Sequence, residues 1–133
     1  METQNKKQAT VNGKDLPISA KHAASILRFL KGRKINDSIE LLEKVIKKKI
    51  AVPVIGEVPH KNGYPGRYHV KAAGFFIKML KNLAANATQK GMNLEMIRVS
   101  GMANLASRAS KPGRLGRRKF KRTHVLLVGE EKI

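Results

Sequence analysis

The chain has no cysteine and no tryptophan, and aromatic residues make up only 5% of its 133 residues. Without cysteine there can be no disulfide, thiolate zinc site or cysteine nucleophile. The shortage of aromatic rings counts against a module that works by stacking many bases on aromatic side chains. Negative charge is scarce as well: nine Asp and Glu stand against 28 Lys and Arg, a formal charge of +19. A surface this one-sided repels itself and attracts polyanions, so nucleic acid and acidic membrane are the first partners to weigh. Long apolar runs are missing too. The longest nearly unbroken one is Ile50-Ala-Val-Pro-Val-Ile55, far short of the ~20 residues a membrane helix needs. The first eight residues are polar, which predicts no secretory signal and a cytosolic setting.

What is present suffices for a folded body. The length suits one domain, 1–133, and 41% of the residues are apolar; a chain of this size can bury roughly two-thirds of its unfolded surface. After a loose start over 1–8, the stretch 9–18 reads as a short edge strand. Ser19 then suits the N-cap of a helix to about Lys31, with Ala23, Ile26, Leu27 and Leu30 at helical spacing and Gly32 as its stop. Asp37-Ser-Ile-Glu40 resembles a capping box opening a second helix, which would bury Ile39, Leu42, Val45 and Ile46. Acids early in that helix and Lys47-Lys-Lys49 at its end match the macrodipole. Residues 52–68 contain three prolines and three glycines and read as a loop. A third helix is predicted from near His69 to Gly91, its stripe made of Ala72, Ala73, Phe76, Met79, Leu80, Leu83 and Ala87.

The last third changes character. Residues 94–99 and 123–128 are rich in strand formers and flank a basic middle containing Gly, Ser and Pro, the pattern of a long antiparallel hairpin over about 97–124. With roughly 15 residues per limb it could reach on the order of 50 Å.

Between Glu95 and Glu130 there is no acid, while Arg98, Arg108, Lys111, Arg114, Arg117, Arg118, Lys119, Lys121 and Arg122 all fall there. A basic run is usually a solvated face or a tail. This one lies between two strands that must pair, and holding like charges on a thin arm is costly unless a polyanion neutralises them. Phosphate contact is therefore the better reading. Lys21, Arg28, Lys31, Arg33 and Lys34 form a second basic set, and Lys61, Arg67 and Lys71 a third. Several basic surfaces on so small a body suit a protein wrapped by nucleic acid, not a reader of one groove.

Signs of catalysis are poor. His22, His60, His69 and His124 are scattered, no zinc-binding His pair occurs, and no glycine-rich nucleotide loop or paired acids are visible. Phe75, Phe76 and Met79 read as core. Asn36 and Asn86 match glycosylation acceptors but lie in predicted helices, so both matches are taken as chance. No enzyme, metal or cofactor is expected.

Four segments are similar to one family: Leu16-Pro-Ile-Ser-Ala-Lys-His-Ala23, Phe29-Leu-Lys-Gly-Arg-Lys34, Tyr64-Pro-Gly-Arg-Tyr-His-Val-Lys-Ala-Ala73 and Lys119-Phe-Lys-Arg-Thr-His-Val-Leu-Leu-Val128. They resemble the universal large-subunit ribosomal protein numbered twenty-two in bacteria, in its archaeal and eukaryotic form. The likeness runs from about Val11 to Glu131, and its last two segments are the most specific. It implies an α+β fold: a small body of three helices packed on a three-stranded antiparallel sheet, with a long extended β-hairpin arm. It also implies large-subunit rRNA, neighbouring ribosomal proteins and the nascent polypeptide as partners, in a cytoplasmic ribosome, with a role in assembly and no membrane. The tip of the arm would fall around 105–113, and Ser107, Arg108, Ala109, Ser110, Lys111, Pro112 and Gly113 would line the tunnel. Arg98, Arg114, Arg117, Arg118, Lys119 and Arg122 would lie along the limbs, and Lys21, Arg33, Lys34, Arg67 and Lys71 on the body.

The alternative from another class is a DNA-bending architectural protein, which also joins a helical body to basic arms, often with an apolar wedge at the tip. Pro112 could serve as such a wedge. Proteins of that kind are dimers with large apolar interfaces. The stripes here are about what three helices need for one internal core, so a homo-oligomer is not expected. A membrane-active peptide is disfavoured because the most basic segment is not an amphipathic helix.

Overall fold

Residues Thr123–Glu131 alternate between buried and half-buried positions, with Thr123, Val125, Leu127 and Gly129 turned inward. That two-residue period belongs to a sheet with one covered face, and the rest of the body is arranged around it. The computed structural model describes residues 8–53, 60–61 and 64–131. The chain runs β1 (Gln8–Leu16), α1 (Ala20–Leu30), α2 (Ile35–Ile46), β2 (Val52–Pro53), β3 (His60–Lys61), β4 (Tyr64–Arg67), α3 (Val70–Gln89), β5 (Ile97–Leu105) and β6 (Thr123–Glu131). Single 3-10 turns occur at Leu94–Met96 and Gly113–Leu115.

The main sheet is antiparallel in the order β1-β6-β5. α1 lies along β5, α3 crosses β1 and β6, and α2 packs on α3. Ile26, Leu30, Ile35, Leu42, Phe76, Leu80, Leu83, Ile97 and Leu127 are fully buried where these layers meet. The expected three helices on a three-stranded antiparallel sheet are thus present. Seven of seven predicted stripe residues of α3 are buried, as are the four of α1. β1 is an edge strand with one extra residue between Gly13 and Leu16, where Asp15 takes a φ of 53°. Such a bulge re-aims an edge. Thr123 then fastens the start of β6 to the β1–α1 link by donating its hydroxyl to the Ile18 carbonyl at 2.8 Å.

Ser19 stands at the N-cap of α1 as expected, its carbonyl accepting from the Ala23 N–H at 3.0 Å while its side chain makes no capping bond. Three local expectations are corrected. α2 begins at Ile35, not at a capping box on Asp37. Ser38 is buried inside it and donates back to the Lys34 carbonyl at 2.8 Å. The cause lies in the preceding turn. Gly32, at a φ of 79°, turns the chain out of α1 so that its N–H reaches Val99 O (2.8 Å) and Arg33 O accepts from Val99 N–H (2.9 Å). The link is held on the sheet through Lys34, and Ile35 enters the core at once.

The second correction concerns 52–68, expected as loop. It holds short antiparallel ladders in the order β2-β4-β3, pairing Val52 with Arg67 and Lys61 with Tyr64. Pro53 and Pro65 keep them short, because proline has no N–H to give a ladder. Third, the strand expected from Leu94 starts at Ile97. Asn93 accepts the Glu95 N–H through its side chain at 3.1 Å and holds a 3-10 turn there. The loose start expected over 1–8 falls outside the described residues except for Gln8, which opens β1.

The β5–β6 ladder runs from Ile97 opposite Glu131 to Leu105 opposite Thr123. Beyond it, over 106–122, the limbs stay close but irregular. Ala106 N–H donates to Arg122 O (3.1 Å), Phe120 N–H to Ala109 O (2.9 Å) and Lys111 N–H to Arg118 O (2.9 Å), with a single bridge between Ser110 and Lys119. The chain reverses through Gly113–Leu115, where Gly113 has a φ of 68°.

Candidate nucleic-acid interface

The distal hairpin concentrates positive charge on a strip two chains wide. Arg108, Arg114, Arg117, Arg118, Lys119 and Lys121 are exposed, and Lys111 and Arg122 half-buried. Among the described residues, none of these cations has an acid within ion-pair distance. Their mutual repulsion is offset from within the arm by bonds to backbone and ring. Arg108 reaches across to the opposite limb, its Nε donating to Phe120 O at 3.0 Å and its Nη2 to Lys119 O at 3.3 Å. Phe120 has the Lys111 ammonium 5.7 Å and the Arg122 guanidinium 5.5 Å from its ring centre, within the range of cation–π attraction. Arg108 therefore clips the two limbs together, a role its place in a basic run does not reveal.

Folding brings several of the sequence-predicted cations into shared hollows. Lys21 of α1 meets Arg108, Lys121 and Arg122 at the root of the arm, so the first-helix set and the arm set are continuous there. Arg28, Lys31 and Arg33 border a second hollow together with Phe29 and Pro53. Lys34 and Arg98 are bridged neighbours where the α1–α2 link meets β5. Arg67 and Lys71 share a hollow of about 650 Å³ with His22, His69 and Lys48. The rings of His22 and His69 stack there at 4.2 Å with 26° between their planes. Sequence reasoning passed over Lys48 and His69. Lys48 was visible in the lysine run but accounted for by the helix end; only the tertiary fold brings it to the same hollow as Arg67.

Arg114, Arg117, Arg118 and Lys119 stand around or just after the reversal and join none of these hollows. Ser107, Arg108, Ala109 and Ser110 lie on the outgoing limb, and Lys111, Pro112 and Gly113 lead into the turn. His124 accepts the Asp15 N–H at 3.2 Å from across the ladder, an ordinary cross-strand partner. Asn86, matched by chance to a glycosylation pattern, donates to Thr10 O at 3.0 Å and ties α3 to β1.

Acids occupy the opposite regions. Asp37, Glu40 and Glu43 are exposed along α2, while Glu95, Glu130 and Glu131 gather at the end of the sheet away from the arm. Among the described acids only Asp15 approaches the arm, beside His124 at its root, and the distal hairpin 106–122 carries none. Among the described residues no cluster of metal-ligating side chains occurs, and no helix is long and apolar enough to cross a membrane.

Fold and surface thus define a class: a small basic α+β protein whose sheet continues into one cationic hairpin. The family model described as ribosomal protein L22p/L17e matches residues 11–128, and the chain belongs to that family. Three archaeal relatives are each named large ribosomal subunit protein uL22. The chain is 43% identical to that of Archaeoglobus fulgidus over 96 residues, a match covering 67% of this chain and 62% of the relative. It is 38% identical to that of Ignicoccus hospitalis, covering 88% and 84%, and 35% identical to that of Methanocaldococcus jannaschii, covering 94% and 88%. The resemblance to the archaeal and eukaryotic form, carried in part by Tyr64-Pro-Gly-Arg-Tyr-His-Val-Lys-Ala-Ala73, agrees with these archaeal matches. As a ribosomal protein it is a structural constituent, not an enzyme, and its place is the ribosome in the cytoplasm.

Proposed function

We propose that the chain is a constituent of the large ribosomal subunit that binds its rRNA through several basic surfaces and helps the subunit assemble. The observation that carries this reading is the distal hairpin, 106–122, where Arg108, Lys111, Arg114, Arg117, Arg118, Lys119, Lys121 and Arg122 stand together without an acid. Cations held this way gain most when phosphates displace their mobile counterions. Arg98 and the body residues Lys21, Arg28, Arg33, Lys34, Arg67 and Lys71 add lateral contacts that orient the arm. The body sits near the polypeptide exit beside neighbouring ribosomal proteins. The arm, 97–124, carries the tip segment 107–113 to the wall of the nascent-peptide tunnel, and the chain acts as a single copy.

Crosslinking in cells, followed by sequencing of the attached nucleic acid, tests the partner. Crosslinks spread over distant segments of large-subunit rRNA are expected; enrichment of chromosomal DNA instead would overturn the proposal in favour of an architectural role. In solution, if about eight phosphates are neutralised, affinity for an rRNA fragment falls on the order of 10⁴-fold between 50 and 200 mM salt.

A further inference from the structure

We infer that the hollow between the end of α1 and strand β2 is a seat for a single unstacked RNA nucleotide, with the base held on Phe29 and Arg33 and its phosphates on Arg28 and Lys31. The inference rests on the rRNA-binding reading and adds a mode of recognition to it. The hollow measures about 460 Å³ and is lined by Ser25, Arg28, Phe29, Lys31, Arg33 and Pro53, within the ~300–1,000 Å³ of small-ligand sites.

Three features mark this place. First, Phe29 is half-buried and lines a hollow together with its cations, whereas Phe120, which also carries a guanidinium over its ring, is not among the residues lining the hollow at the root of the arm. Second, the Arg33 guanidinium lies 5.2 Å from the centre of the Phe29 ring and is tethered there, its Nε donating to Phe29 O at 2.8 Å. A guanidinium held in plane by such a bond is a stacking surface for a base, which a mobile lysine is not. Third, both residues sit on a rigid support. The Gly32 and Arg33 backbones are bonded to Val99 of the sheet, and the inner edge of Phe29 packs against the core.

The remaining groups complete a nucleotide site. Pro53 supplies a flat apolar border from β2. The Ser25 hydroxyl donates to Lys21 O at 3.0 Å, so its oxygen is left to accept from a base amino group. Every charged residue in the lining is a cation. A surface meant for duplex phosphates alone would need no ring or proline. A base still stacked in a helix could not enter, so the ligand is a bulged or looped-out nucleotide.

The test compares two RNA duplexes of equal length, one continuous and one with a single bulged 5-iodouridine, each titrated with the full chain. The bulged RNA is expected to bind about tenfold more tightly, and irradiation to crosslink the iodouridine to Phe29. Phe29→Leu keeps an apolar side chain on the core and should erase the preference while leaving affinity for the continuous duplex unchanged. Should that variant fail to fold, Arg33→Lys at an exposed position keeps the charge, loses the plane and should reduce the preference in the same direction. Equal affinity for both RNAs, or crosslinks confined to 106–122, would overturn the seat while leaving rRNA binding in place. Displacement of the bulged RNA by free adenosine monophosphate at matching affinity would also overturn it, by assigning the hollow to a free nucleotide. If neither RNA binds, both readings fall together.

Discussion

The two halves of the β5–β6 hairpin are one continuous pair of strands, yet they are held by different forces. In the inner half, Ile97, Val99, Val125 and Leu127 are buried beneath the helices and the ladder is unbroken. In the outer half, regular pairing stops at Leu105 opposite Thr123, where apolar alternation gives way to charge. What remains there is a few backbone bonds, the Arg108 clip and the cations against Phe120. Apolar burial contributes about 25 cal/mol per Å², whereas hydrogen bonds between exposed groups contribute little net because water competes for them. The inner half is therefore part of the fold. The outer half is a charged extension held by backbone bonds and cation–ring contacts, with almost no apolar burial.

Substitutions along the hairpin should reproduce that boundary. The largest effect is expected for Leu127→Ala, which empties a fully buried site between sheet and helices: about 2–5 kcal/mol lost in urea denaturation. A loss below 1 kcal/mol would show that the inner half is less tightly packed than described. Next comes Thr123→Val, at the boundary itself. It leaves the Ile18 carbonyl without its buried donor and should cost about 1–3 kcal/mol by the same measurement.

Arg108→Gln removes the clip across the limbs. Amide exchange at Lys111 and Phe120 should then accelerate about three- to tenfold while the thermal midpoint of the body stays put. A shifted midpoint would mean that the outer half supports the body after all. The smallest effect is expected for Leu105→Ala. This leucine is 69% exposed where the ladder ends, so its loss should change stability by no more than ~0.5 kcal/mol. Matching losses at Leu105 and Leu127 would dissolve the distinction between the halves.

Much of the body is readable from local pattern. The stripes of α1 and α3 and the strand after Thr123 follow from residue spacing, because burial on one side imposes a period of 3.6 or 2 on the chain itself. The basic surfaces are equally legible, since charge is additive along a sequence. The start of α2 is not. Asp37 and Glu40 mimic a capping box, and the helix begins at Ile35 because Gly32 and Arg33 bond to Val99, far away in the chain. The short ladder through β4 was hidden in the same way by its prolines and glycines.

The seat beside Phe29 shows the same division. Phe29 and Arg33 are four residues apart, so their contact is local, but Pro53 arrives from another element. Composition and periodicity already determined a basic, cysteine-free chain with three helices, a short edge strand and an acid-free hairpin, because charge and hydrophobic period are properties of neighbouring residues. Tertiary structure alone decided where the ladder ends, which cations share a hollow and what Arg108 and Lys48 face. Those depend on pairings between distant segments, whose geometry no local pattern encodes.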